Sequence, residues 1–347
     1  MDTNLPLVSV CIVSYNHERF IEYCINSIEN QDYKNIEILV LDDGSKDNSI
    51  EILQNLKSKS SYPFEIIAQE NSGCIGANFN KLIHMANGKY LVIMAADDAL
   101  FPNSISKKID IMEKDASIQY VINSRIQRID ENNNLLTPIT KLDIPLDSIE
   151  NPTALEVLEL EYENVHSYFL QGGLYRKSII DVVGGFDEDM IADDIILRTK
   201  LSRYIIDNPN LKFVTLHEAA CYYRKHTSSI SANMIRQIKS VALYFNKYWG
   251  ERKYSDRFIS WIDRNITKNP EEVYNLASEI AELKPYINES IKKIKSKKLN
   301  VYLKYLYNKI LSKITFGSIK EQYKKESKKL HKKVRIIRKI TSLTKFV

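Results

Sequence analysis

The first 95 residues alternate short, mostly apolar runs with stretches whose apolar residues recur at helical spacing, and few folds accept that pattern. Residues 7–14, Leu-Val-Ser-Val-Cys-Ile-Val-Ser, read as a parallel strand buried on both faces. Phe20, Ile21, Cys24, Ile25 and Ile28 then predict a helix over 18–30. A second strand follows at 36–41 and a second helix begins near Asp47, whose side chain can cap it. Strands at 64–68 and 90–95 flank a helix at 75–86. Strands alternating with helices of this length imply right-handed crossovers and an α/β, three-layer sandwich around a mostly parallel sheet.

Beyond residue 95 the pattern predicts a helix at 103–114, a strand at 118–128, a loop at 130–134, helices at 153–161 and 191–205, and two strand-like runs over 211–224. From 232 onward the periodicity is helical. Eight of the ten glycines fall in the first 185 residues, so tight turns concentrate there. These divisions predict a catalytic domain over 1–232, a helical extension over 233–290 and a basic tail over 291–347.

Charge separates the tail from the rest. Residues 291–347 carry 19 Lys or Arg against Glu321 and Glu326; the net charge of +5 therefore hides a tail of +17 and a body of −12. Such a tail suits a polyanion. Leu299, Leu303, Leu306, Ile310 and Ile314 form one apolar stripe, and Leu330, Val334, Ile337, Ile340 and Leu343 form another, with lysines and arginines on most other faces. Basic amphipathic helices of this kind lie on anionic membrane surfaces. Cys11, Cys24, Cys74 and Cys221 form no CxxC pair, so reduced thiols in a cytoplasmic protein are expected. The start, Met1-Asp2-Thr3-Asn4, lacks the basic then apolar pattern of a signal peptide, and no run of 18 apolar residues predicts a membrane span.

In an open parallel sheet, ligands bind beyond the carboxyl ends of the strands. Here strand two runs into Asp42-Asp43-Gly44 and strand four into Asp97-Asp98. Single acids after strands are commonly turn formers. Two acidic pairs on one edge instead suggest an oxygen-ligated divalent cation such as Mg²⁺ or Mn²⁺.

These segments resemble the inverting glycosyltransferases of family 2, which use the GT-A nucleotide-sugar fold. The match consists of "VSVCIVSYN" from Val8, "LVLDDGSKDNS" at 39–49, "ENSGCIGANFNK" at 70–81, "ANGKYLVIMAADDALFP" at 86–102 and "VGGFDEDMIADDIILRTKL" at 183–201. The resemblance implies that Tyr15, Asp42 and Asp43, with Ser14, Asn16, Asn71 and Asn80 in the same blocks, hold a nucleotide-sugar donor, a UDP-sugar. It implies that Asp97 and Asp98 stand at a DxD-like metal site binding Mg²⁺ or Mn²⁺, with Asp97 also on the donor side. Arg224 and His226, in "YYRKHTSSIS", correspond to a late motif reaching the diphosphate or metal. Two positions depart from the family: Ala95 replaces an acid and Phe79 replaces an arginine.

Transfer of a sugar also needs a carboxylate to take the proton of the attacking hydroxyl. Setting Lys200-Leu201 against the family's Arg-Leu makes Asp194 that base and Asp193 its preceding acid; setting Arg198 against the same arginine leaves neither in register. The resemblance implies a glycan or lipid-linked glycan acceptor in bacterial surface polysaccharide synthesis, with the enzyme peripheral on the inner face of the membrane. Two rivals have sequence support. Ala95 is compatible with a non-catalytic nucleotide-sugar-binding or scaffold protein, and the basic tail with a nucleic-acid-binding one. The acidic body disfavours nucleic acid.

Overall fold

A computed structural model describes residues 5–136, 145–190, 194–227, 233–250, 252–294, 307–308, 322 and 324–331. The chain divides into two units, Met1–Ala232 and Asn233–Val347. In the first, β1 (Val8–Ser14), α1 (Ile21–Glu29), β2 (Ile36–Asp42), α2 (Ser49–Lys59), β3 (Phe64–Ala68), α3 (Ile75–Met85) and β4 (Tyr90–Ala95) follow one another as strand and helix in turn. Next come β5 (Ala99–Leu100), α4 (Ser104–Lys114), β6 (Ile118–Ile129), α5 (Ala154–Asn164), β7 (Leu174–Arg176), α6 (Lys177–Val182), α7 (Asp194–Asp207) and β8 (Lys212–Arg224).

All seven residues of β1 and of β2 are buried, as strands covered on both faces must be. One core lies on each side of the sheet. Cys11, Val13, Leu39, Leu41, Leu91 and Ile93 face α3, α5 and α7, whereas Val10, Ile12, Ile38, Val40, Val92 and Met94 face α1, α2 and α4. Burying each Val, Leu or Ile contributes about 1.5–3 kcal/mol. The strand order is β3-β2-β1-β4-β7-β6-β8-β5. Pairing is parallel from β3 to β4 and between β6 and β8, and antiparallel where β7 joins β4 to β6 and where β5 meets β8. Ser14 lies beside Asp42 and Val13 beside Ala95, so β1, β2 and β4 deliver their next residues to one edge.

Several details differ from the sequence expectations. β5, β7 and α6 were not anticipated, since elements of two, three and six residues hold too few positions to show a period. The two runs over 211–224 are one strand, β8, with irregular register against β6 between Asn123 and Gln127, which is what broke its alternation. The 130–134 loop is a turn in which the Asp130 backbone N–H donates to the Asn134 carbonyl at 2.9 Å. The N-cap of α2 is Asn48, which makes no side-chain cap bond, and Asp47 sits one residue earlier than a cap; its carboxylate still accepts from the Ser49 N–H and hydroxyl at 3.1 and 2.6 Å. Cys11, Cys24 and Cys221 are buried free thiols, and burial raises the pKa of each.

The second unit contains α8 (Met234–Trp249), α9 (Asp256–Ile266) and α10 (Pro270–Glu279), followed by helical residues 284–294. Its aromatics pack on one another. Tyr244 and Phe245 have ring centroids 5.6 Å apart, Phe245 and Phe258 5.5 Å, and the Trp249 indole donates to the Tyr244 hydroxyl at 2.8 Å. Of the tail stripes, only Leu330 and its neighbours Lys328 and Lys329 lie within the described residues. No described helix is long and apolar enough to cross a membrane.

Candidate functional site

The carboxyl edge of the parallel half carries the site. After β1 the chain turns sharply at Asn16, which takes a left-handed φ of 55°. That turn is tied to the loop after β2. The Asn16 N–H donates to the Ser45 hydroxyl at 2.8 Å, the Lys46 N–H to the Asn16 carboxamide at 2.8 Å, and the His17 N–H to the Ser49 hydroxyl at 3.0 Å. Asp42 shapes the same loop by accepting from the Ser45 N–H and hydroxyl at 2.8 and 2.6 Å. Gly44, at φ 81°, follows; a Cβ there would meet the Asn71 backbone nitrogen at 2.7 Å, so the 69–72 segment can close over it only because it is glycine. Asp43 accepts from the Gln69 side chain at 2.9 Å, the Ser72 N–H at 2.8 Å and the Ser72 hydroxyl at 3.2 Å. Oδ1 of Asp43 is thus filled by two donors, while its Oδ2 and both oxygens of Asp42 accept one each. Tyr15 is 45% exposed at the rim, and Asn71 is exposed with its carboxamide oxygen accepting from the Gly73 N–H.

The acids after β4 diverge, because adjacent residues in a turn send their side chains in different directions. Asp97 meets the His226 Nε2 at 2.9 Å. Burial pushes the Asp97 carboxyl up, yet the His226 hydrogen bond and the nearby His17 outweigh it and hold its pKa below the ordinary value. Asp98 turns inward. Its Oδ1 accepts from the Arg224 backbone N–H at 2.9 Å, it is 2% exposed, and burial with the neighbouring Asp97 charge raises its pKa well above normal. Asp98, expected beside Asp97 at a metal, instead anchors β8.

Among the described residues, the one cluster of groups able to hold a metal is His17, Asp97 and His226. Their ligand atoms all lie within 4.8 Å of one another. Ligand bonds of about 2.1 Å place opposite donors roughly 4.2 Å apart, so a single divalent ion fits the spread. Burial lowers the His17 pKa, against the pull of Asp97. His17 was absent from the sequence expectations. Its signal was position: it lies just beyond the end of β1, on the edge that also receives Asp42 and Asp97.

Of the other expected site residues, Ser14 ends β1 fully buried, and its hydroxyl, sealed from solvent, has no hydrogen-bond partner among the described residues. Arg224 is 2% exposed; its Nε donates to the Asp97 carbonyl at 2.8 Å, one terminal nitrogen to the Asp130 carbonyl at 2.7 Å, and its guanidinium lies 4.7 Å from the Phe20 ring centroid. It therefore braces three segments, and its other terminal nitrogen has no hydrogen-bond partner among the described residues. The Asn80 carboxamide is occupied by the backbone N–H and carbonyl of Phe186 and by Glu188, each at 2.9 Å. Gly185, at φ 54°, has the Asn80 carboxamide against the position a Cβ would take, so α3 and the 184–188 turn dock closely.

On the other side, α7 begins at Asp194. Its Oδ2 is 3.6 Å from a terminal nitrogen of Arg198, one helical turn on. Arg198 also pairs with Glu161 of α5, Nε to Oε1 at 2.6 Å, and both side chains are essentially sealed from solvent. Sequence reading missed this pair, because nothing in spacing connects residue 161 to 198. Lys200 makes a 2.5 Å ion pair with Asp187. Asp193 lies outside the described residues. The Asp194 charge adds a minor contribution to the raised pKa of Asp98. A cavity of about 460 Å³ lined by Phe101, Ser104, Lys107, Arg125 and His217 includes none of these groups.

Comparison with known proteins agrees with this architecture. The solved structure of S. aureus TarS 1–349 in complex with UDP-GlcNAc shares the fold at a TM-score of 0.55 and 14% identity, covering 97% of this chain and 92% of that one. The mannosyltransferase PcManGT from Pyrobaculum calidifontis, in complex with GDP-Man and Mn²⁺, gives 0.54 and 16%, covering 98% and 88%. Chondroitin synthase from Escherichia coli is 33% identical over 134 residues, which are 38% of this chain and 19% of the synthase; the chain thus spans about a fifth of that relative's length. The family model described as Glycosyl transferase family 2 matches residues 9–184, just over half of the sequence, and the chain belongs to that family.

Proposed function

We propose that this chain is an inverting glycosyltransferase that moves a hexose or N-acetylhexosamine from a UDP-sugar to a hydroxyl of a lipid-linked glycan acceptor, in bacterial surface polysaccharide synthesis. The observation that carries the reading is a sheet-edge carboxylate paired with an imidazole: Asp97, just after β4, meets His226 Nε2 at 2.9 Å. Asp194, at the start of α7, is taken as the second carboxylate that the reaction needs. UDP-GlcNAc in the TarS structure and GDP-Man with Mn²⁺ in PcManGT support a nucleotide-sugar donor and a divalent cation.

Asp97 and His226 would hold the cation, and a cation there neutralises charge developing on the leaving diphosphate. Tyr15 and Asn71, both exposed, would offer a rim to the nucleoside, with the buried Asp43 beneath them. Asp194 takes the proton from the acceptor hydroxyl on the opposite face of the sugar, so that one displacement inverts the anomeric carbon. A panel of UDP- and GDP-sugars with Mn²⁺, with Mg²⁺ and without metal tests the reading. Hydrolysis of one donor only with a divalent ion is the expected result, and Asp97→Ala should abolish it with the fold intact by circular dichroism. Equal UDP affinity with and without Mn²⁺ would remove the metal from the proposal; inertness toward every donor would favour a non-catalytic binding protein.

The tail at 291–347 is assigned to the anionic inner face of the membrane, distinct from the helical extension at 233–290. At about 1 kcal/mol per basic residue near such a surface, half a dozen contacts suffice to hold the protein there. Deleting 318–347 should release the protein from anionic vesicles while preserving donor hydrolysis, and added salt should weaken vesicle binding. Unchanged sedimentation of the truncated protein would refute the anchor. Tight binding of the full chain to duplex DNA would favour the nucleic-acid alternative.

A further inference from the structure

We infer that His17 is a third ligand at the Asp97 centre, making it a two-imidazole, one-carboxylate site that selects Mn²⁺ over Mg²⁺ and loads before the nucleotide arrives. The inference rests on the proposed reading, in which Asp97 and His226 bind the cation, and adds a ligand, a selectivity and an order.

The position of His17 is over-determined. Asn16, immediately before it, adopts a left-handed backbone, which among L-residues asparagine and aspartate tolerate best. Four backbone N–H groups hold the turn in place: Asn16 to Ser45, Lys46 to Asn16, His17 to Ser49, and Glu18 to the Asp47 carboxylate at 3.0 Å. The Glu18 carboxylate reaches back to the N–H and side chain of Asn48, each at 2.9 Å. All this fixes one ring. The His17 ring stands edge-on to that of His226, their centroids 6.4 Å apart, and Phe20 packs beside both, 4.9 Å from His226 and 6.3 Å from His17. Three segments distant in sequence thus deliver two imidazoles and one carboxylate within 4.8 Å.

The donor set ranks the two ions. Mg²⁺ prefers oxygen ligands and keeps several waters; Mn²⁺ also favours oxygen but, as a first-row transition ion, accepts imidazole nitrogen more readily than Mg²⁺ does, though less so than Fe²⁺ or Zn²⁺. Asp98, the oxygen donor that would have favoured Mg²⁺, is committed to β8. With three protein ligands already converged, the site needs no phosphate oxygen to retain an ion, so occupancy precedes the donor.

Mn²⁺ titration of the nucleotide-free full-length protein, followed by the loss of the free-ion EPR signal, tests this. One site is expected, retained against a hundredfold excess of Mg²⁺, and His17→Gln should weaken it at least tenfold. Pulsed EPR of the wild-type Mn²⁺ complex gives a readout independent of any variant's folding: nitrogen couplings from two imidazoles are expected. Couplings from one imidazole, or Mn²⁺ affinity in His17→Gln equal to wild type, would overturn the role of His17 and leave the glycosyltransferase reading standing. Displacement by equimolar Mg²⁺ would overturn the selectivity. Absence of any Mn²⁺ site in the nucleotide-free wild type would overturn this inference, and if UDP fails to restore binding it removes the metal from the proposed function too.

Discussion

Asp194→Asn is expected to lower turnover by about 10² to 10⁴, the range usual for loss of a positioned base, with donor affinity nearly unchanged. An amide matches the carboxylate in shape, and its oxygen can still face Arg198 at the 3.6 Å now seen, so packing at the start of α7 should survive. What disappears is the ability to take a proton from the acceptor. Single-turnover transfer measured beside UDP competition separates the two effects. Loss of donor affinity in proportion to turnover would assign Asp194 to binding instead. An active Asp194→Asn with a dead Asp193→Asn would move the base by one residue. The product's anomeric configuration is a second check, since retention contradicts a single displacement.

Arg198→Met should destabilise the first unit by about 3–5 kcal/mol, the cost of stranding one member of a buried ion pair. Glu161 would then keep only the Ser167 N–H and hydroxyl, inside a core that admits no solvent. The Tyr168 ring, whose centroid is 5.6 Å from the guanidinium carbon, would lose that neighbour too. Replacing both partners, Glu161→Leu with Arg198→Met, should recover much of the loss, because apolar pairs of similar volume substitute well for buried ions. Urea unfolding of the wild type and these two variants measures it. A single-variant loss below about 1 kcal/mol would show that α5 and α7 hold together through packing alone.

The parts legible in the sequence were those with a period long enough to read. β1, β2 and β4 are continuous apolar runs, and the helices between them repeat their apolar residues every three or four positions. That sufficed for the sheet edge and for Asp42, Asp43 and Asp97. The rest depended on information that one-dimensional spacing does not carry. Asp97 and Asp98 are chemically identical neighbours, and only the return of β8, whose Arg224 N–H claims Asp98, distinguishes them. Ser14 looked available beside Tyr15, but it completes the buried face of β1 at the register of Asp42. Arg224 looked like an anion contact because its charge is visible in the sequence and the Asp97 and Asp130 carbonyls that receive it are not. Glu161 and Arg198 meet only because α5 and α7 pack together.

The strand order has a consequence for how the protein must be made. A ribosome releases β1 through β4 in the first 95 residues, and these pair among themselves with short crossovers, so their hydrogen bonds can close early. β5 and β6 leave the ribosome next, yet the strand that joins them, β8, ends only at Arg224. Until then β5 has no partner and β6 has one open side, exposing backbone donors and acceptors to any other nascent chain. The vulnerable interval in the life of this protein is therefore set by the distance along the message between the codons for β6 and those for β8.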